Sequence, residues 1–68
     1  MIAITFIVDE ILTGGYIAKA MGVSILAEAE TYEQIKENIR KAVHCHFEGE
    51  ELPKVIKLHF VKEEIISL

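Results

Sequence analysis

Thr31-Tyr32-Glu33-Gln34-Ile35-Lys36-Glu37-Asn38-Ile39-Arg40-Lys41-Ala42-Val43-His44-Cys45-His46 is the stretch that decides the fold. It opens as a capping box. The Thr31 hydroxyl can accept from the Gln34 amide, and the Gln34 side chain can reach back. Ile35, Ile39, Ala42, Val43 and His46 then recur at helical spacing, with Tyr32 and Phe47 flanking the stripe. Glu33, Lys36, Glu37, Arg40, Lys41 and His44 make the wet side, where Glu33–Lys36 and Glu37–Lys41 attract by a few tenths of a kcal/mol. Gly49 stands where a helix C-terminal cap is expected.

On either side of this helix the period changes from 3.6 to 2. Residues 2–8 alternate Ile2, Ile4, Phe6 and Val8 against Ala3, Thr5 and Ile7, and both sets are apolar enough for a central strand. Thr13-Gly14-Gly15 supplies positive φ cheaply, so a hairpin leads into a second strand over 16–21. Gly22 punctuates it. A third strand over 23–29 sets Ile25, Ala27 and Ala29 against Leu26, Glu28 and Glu30. After Pro53, residues 55–61 read as a fourth strand, with Ile56, Leu58 and Phe60 on one face and Lys57 and His59 on the other. The order β-β-β-α-β predicts an α+β fold, one helix on one face of a mostly antiparallel sheet.

The chain has 68 residues, 51% of them hydrophobic and 26% charged, which is a globular balance for one small domain over 1–68. A domain of this size buries only roughly 60% of its unfolded surface, so it usually needs a staple. Cys45 is the single cysteine, which excludes an intrachain disulfide and leaves oligomerisation as the remedy. Ile65, Ile66 and Leu68 are unusually apolar for a chain end. They are expected to extend the last strand or to dock on another subunit, in a homodimer or tetramer. The 11 acidic and 7 basic side chains give a net charge of -4, which argues against nucleic acid and permits a basic protein partner. No basic leader and no apolar run of about 20 residues is present, so a cytoplasmic location is expected.

Gly14-Gly15-Tyr16-Ile17-Ala18, then a strand running into Glu30-Thr31-Tyr32-Glu33-Gln34-Ile35, then Asn38-Ile39 and Ala42, resembles the HicB-like family. Its members read G-G-Y-x-A, a strand, G-D-T-x-E-E-A and x-N-x-x-x-A. The resemblance runs to about Phe47 and more loosely through the last strand. It implies a partial ribonuclease-H-like fold of β-β-β-α-β type and a dimer or tetramer. It also implies an antitoxin that covers a small basic RNA-cleaving toxin, HicA. Met21-Gly22-Val23-Ser24 is shorter than the family's loop, and Ala29-Glu30 replaces its Gly-Asp. No helix-turn-helix or ribbon-helix-helix module follows the last strand, so operator binding is not expected.

The chemistry-bearing residues sort as follows. His44 and His46 lie about 200° apart on a helix and cannot share an ion, and zinc wants four convergent ligands, so no metal or other cofactor is expected. Cys45 could be a nucleophile, but the sequence places no base for it, and the role expected of it is that of a small semi-buried residue. Gly14-Gly15 lacks the lysine of a phosphate loop. Glu28 and Glu30, roughly 7 Å apart along one strand face, could join Asp9 and Glu10 in a metal-nuclease-like acidic cluster. They equally make a charged sheet rim. The expected function is therefore non-catalytic: a HicB-like module that occludes a toxin, with Asp9, Glu10, Glu28 and Glu30 as its acidic contact edge. The alternatives are an oligomeric structural or small-ligand-binding subunit and a small nuclease using Asp9, Glu28 and Glu30.

Overall fold

The computed structural model describes residues 2–62 and 64–68. Its elements are β1 (Ala3–Glu10), β2 (Tyr16–Ala20), β3 (Leu26–Ala29), α1 (Tyr32–His46), a 3-10 turn (Gly49–Glu51) and β4 (Val55–Lys62). They form one four-stranded sheet in the order β3-β2-β1-β4. β1–β2 and β2–β3 are antiparallel, and β1–β4 is parallel. The β-β-β-α-β α+β fold expected from the periodicities is the fold observed.

β1 is central because it can afford apolar side chains on both faces. Ile4, Phe6 and Val8 are buried toward the helix, while Ala3, Thr5 and Ile7 are half-buried on the open face. The core adds Ala18, Ile25, Ala27, Ile35, Ile39 and Val43, with Leu52, Ile56 and Leu58 packed around it. The helical stripe at 35, 39 and 43 and the strand alternation at 4, 6 and 8 thus close on each other, and the described side chains leave no buried polar group unsatisfied. His46 lies outside this core and is exposed.

The helix start is half the expected capping box. Thr31 Oγ1 accepts from the Gln34 amide at 3.1 Å. The Gln34 side chain turns forward rather than back: its Nε2 donates to Asn38 Oδ1 at 2.8 Å. Asn38 Nδ2 in turn donates to the Glu28 carbonyl of β3 at 2.8 Å, so the cap, the helix and the sheet edge are joined in one chain of hydrogen bonds. Thr31→Ala is expected to cost about 1 kcal/mol, read as a shift in urea midpoint at unchanged slope.

Gly49 is not the helix cap. The helix ends at His46, and the cap is Phe47 in extended conformation, its amide donating to the Val43 carbonyl. Gly49, at φ +56°, instead opens the 3-10 turn. Phe47 is half-buried against the core, and seating its ring there ends the helix before the glycine is reached. The other departures are at strand limits: β1 runs on to Glu10, β2 stops at Ala20, and β3 begins only at Leu26. The turn over 21–24 makes that last difference, with Gly22 at φ +78°. Nor does the tail extend β4: residues 64–68 have no regular structure and are exposed. On the wet face the ion pair is Arg40–Glu37 at 2.9 Å, a surface pair worth little.

Candidate protein-binding end of the sheet

β1, β3 and β4 point the same way, because β2 reverses between β1 and β3 and β4 is parallel to β1. Their C-terminal ends therefore share one end of the sheet. The register Asp9↔Ile17↔Glu28 puts Asp9 and Glu28 in one row on the open face, with Ile17 between them. At two strand spacings their Cα atoms are roughly 10 Å apart. Glu10 follows in the next row, opposite Tyr16, and Glu30 leaves β3 beside it. All four acidic residues singled out from the sequence thus gather at this end, and all are exposed.

The β1–β2 hairpin gives this end its apolar part. The Ile11 amide donates to the Gly15 carbonyl and the Gly14 amide to the Ile11 carbonyl, both at 2.9 Å. This tight loop leaves Ile11 and Leu12 exposed. One shallow hollow of about 480 Å³ is lined by Asp9, Glu10, Ile11, Leu12, Thr13 and Val61. A second, of about 260 Å³, lies across Ile11 from it and takes in Gly15, Glu28 and Glu30. Carboxylates stand around aliphatic side chains in both.

On the helix face the same end carries three aromatic rings. Tyr32 stands edge-on to Tyr16 at 6.4 Å and tilted against Phe60 at 5.2 Å. Lys36 Nζ sits 4.4 Å from the Tyr32 ring centroid. From the sequence, Tyr32 is placed only as a flank of the helix stripe and Phe60 only on one face of the fourth strand, and Ile11 and Leu12 are not singled out. The clue for Ile11 and Leu12 is two large aliphatics inside a polar, glycine-bearing turn.

The histidines and Cys45 do not converge. His44, Cys45, His46 and His59 are all exposed, and His59 is on β4 rather than near the helix end. Among the described residues no group of three or more His, Cys, Asp or Glu side chains could hold a metal ion. Among the same residues no helix is long and apolar enough to cross a membrane.

No family model matches the chain, and no solved structure matches it. Two proteins do. A UPF0150 protein of Thermotoga maritima is 42% identical over 65 residues, covering 96% of this chain and 91% of its own. A UPF0150 protein of Archaeoglobus fulgidus is 44% identical over 52 residues, covering 76% of this chain and 77% of its own. Identity of 42–44% over 76–96% of this chain places it in the UPF0150 family.

Proposed function

We propose that this protein is a non-catalytic protein-binding module of HicB-like antitoxin type, which neutralises a small basic RNA-cleaving toxin by covering it. The supporting observation is the meeting of Asp9, Glu10, Glu28 and Glu30 with exposed Ile11 and Leu12 at one end of the sheet. Carboxylates around aliphatic side chains suit the long side chains of lysine and arginine, whose methylenes pack while their heads stay charged. The net charge of -4 adds long-range attraction, which acts mainly on association rate. Occlusion needs nothing from this chain beyond shape and charge, so no nucleophile, base or metal is called for. The compartment of such a pair is the cytoplasm.

The test asks first whether a neighbouring gene encodes a small basic protein, then uses that protein in a pull-down, followed by RNA cleavage at increasing amounts of the acidic protein. A complex forms at low salt and cleavage falls in step with it. Asp9→Lys with Glu28→Lys slows association by roughly 10-fold or more and flattens its salt dependence. A complex that leaves cleavage untouched, or no complex, overturns the antitoxin reading and leaves a structural or small-ligand-binding subunit. Cleavage of RNA or DNA by the pure protein with magnesium or manganese, abolished by Glu28→Gln, overturns the non-catalytic reading.

A further inference from the structure

The helix lies chiefly over β3 and β2. On the helix side of β4 the alternation runs from Ile56 and Leu58, which pack on the core, to Phe60, which the helix does not cover. Tyr32, the first residue of α1, leans across to it. Its ring is tilted by 35° against Phe60 at 5.2 Å and stands edge-on to half-buried Tyr16 at 6.4 Å. Tyr32 and Phe60 are thus set by their neighbours, yet 41% and 47% exposed. The Tyr32 ring already carries a cation. Lys36, one helical turn further on, holds its Nζ 4.4 Å from the ring centroid. Residues four apart on a helix meet in this way, and a ring quadrupole attracts a cation at such a distance.

The surroundings select for positive charge. Glu10 stands in register between Tyr16 and Lys62, and Glu30 and Glu33 flank Tyr32 along the chain. All three carboxylates are exposed. Exposed rings can also stack nucleobases, but a strand's phosphates would then approach these carboxylates, and the net charge of -4 opposes that.

We infer that Tyr32 and Phe60 are the seat of an arginine side chain of the basic partner, and that Lys36 holds this seat in the free protein and leaves it on binding. The nature of the partner rests on the proposed function. A guanidinium is the fitting head. It is planar and weakly hydrated, it lies flat on one ring, and its methylene stem packs against the second. Carboxylates beside the rings suit its forked donors. An ammonium is compact and strongly hydrated and gains less from the same rings, so Lys36 is an occupant that gives way. Phe60 also precedes Val61, which lines the hollow at the acidic end, so a partner covering that end reaches the rings as well.

The probe is a short capped peptide alternating glycine with arginine, set against a lysine counterpart of equal length and charge. Both are titrated into the full chain by NMR. The arginine peptide is expected to bind roughly 3-fold or more tighter and to shift the Tyr32 and Phe60 ring resonances. Tyr32→Leu and, separately, Phe60→Leu bring the two affinities together, while Tyr32→Phe keeps them apart. The two leucine variants stand at different elements, and a native-like melting midpoint in either one makes the comparison valid. Lys36→Gln tightens the arginine peptide roughly 3-fold or more in the native chain and clearly less alongside Tyr32→Leu. Equal affinities in the native chain overturn the inference, as does an arginine preference that survives both leucine variants. So does a Lys36→Gln gain of one size with and without Tyr32, or a single-stranded oligonucleotide that shifts these rings where the arginine peptide does not. A failed toxin pull-down with the arginine preference intact removes the antitoxin reading and keeps the seat. A toxin neutralised equally by the native chain and by Tyr32→Leu removes the seat and keeps the antitoxin reading.

Discussion

Phe6→Ala is expected to abolish cooperative unfolding of this protein at 25 °C. Phe6 is fully buried at the middle of the central strand, with Ala20 of β2 and Leu58 of β4 beside it in register. It belongs to the same core cluster as Ile35 and Ile39 of the helix. Removing a buried phenylalanine down to its Cβ costs about 3–5 kcal/mol, because the cavity adds to the lost transfer free energy. A single core of this size rarely supplies more than about 3–5 kcal/mol in all. The two quantities cancel, so the variant has no stable folded population to melt. Leu26→Ala is the control: Leu26 is also a large apolar side chain, but it is more than half exposed on the open face, so its loss should cost well under about 1 kcal/mol. Urea unfolding followed by circular dichroism at one fixed protein concentration separates them, since self-association would add a concentration-dependent share. A Phe6→Ala protein that keeps a sigmoidal transition near the native midpoint would mean that the core is not the main source of stability.

What could be read in the sequence was whatever is carried by neighbours in the chain. The Thr31 hydroxyl faces the Gln34 amide three residues away, and the 35, 39, 43 stripe needs no knowledge of what it packs against. The alternation from Ile2 to Val8 likewise announced a central strand, although its second face proves only half-buried. The parallel β1–β4 pairing, by contrast, joins residues some fifty apart, and no local pattern in either strand encodes that register. It nevertheless decides which strand is the open edge. The acidic end shows the same division. Asp9 and Glu10 are adjacent and exposed next to a turn, so their association is local. Glu28 reaches them only through Ile17, by way of two strand registers. Gly49 misled for a related reason: glycine is the usual residue past a helix end, but the half-buried Phe47 ring stops the helix first. Gln34 bonds forward to Asn38 because Asn38 is itself anchored to β3, a tertiary contact that outcompetes the local capping box.

Gly15→Ala should be the most damaging of the conservative surface substitutions, and Gly14→Ala should fall clearly short of it. Both glycines sit at positive φ, +110° for Gly14 and +98° for Gly15, where an L side chain is strained. That shared strain is on the order of 1–3 kcal/mol at either position. Their surroundings differ. A Cβ on Gly14 would meet nothing within 4 Å, whereas one on Gly15 would lie 3.1 Å from the Ala29 carbonyl oxygen. That oxygen is backbone, in the strand residue that pairs with Tyr16, so it gives way only if the β2–β3 ladder opens at this end. β3 is four residues long and has little pairing to spare. Gly15→Ala should therefore cost about 1 kcal/mol or more beyond Gly14→Ala. Faster amide exchange should be concentrated in β3 while β1 and β4 keep their protection. The displacement also moves Glu28 and Glu30 away from Asp9, so a toxin that needs the assembled acidic end should bind Gly15→Ala more weakly than Gly14→Ala at the same fraction folded. Equal urea midpoints for the two variants would show that the strand carbonyl yields without cost, and that Gly15 is held only by its φ.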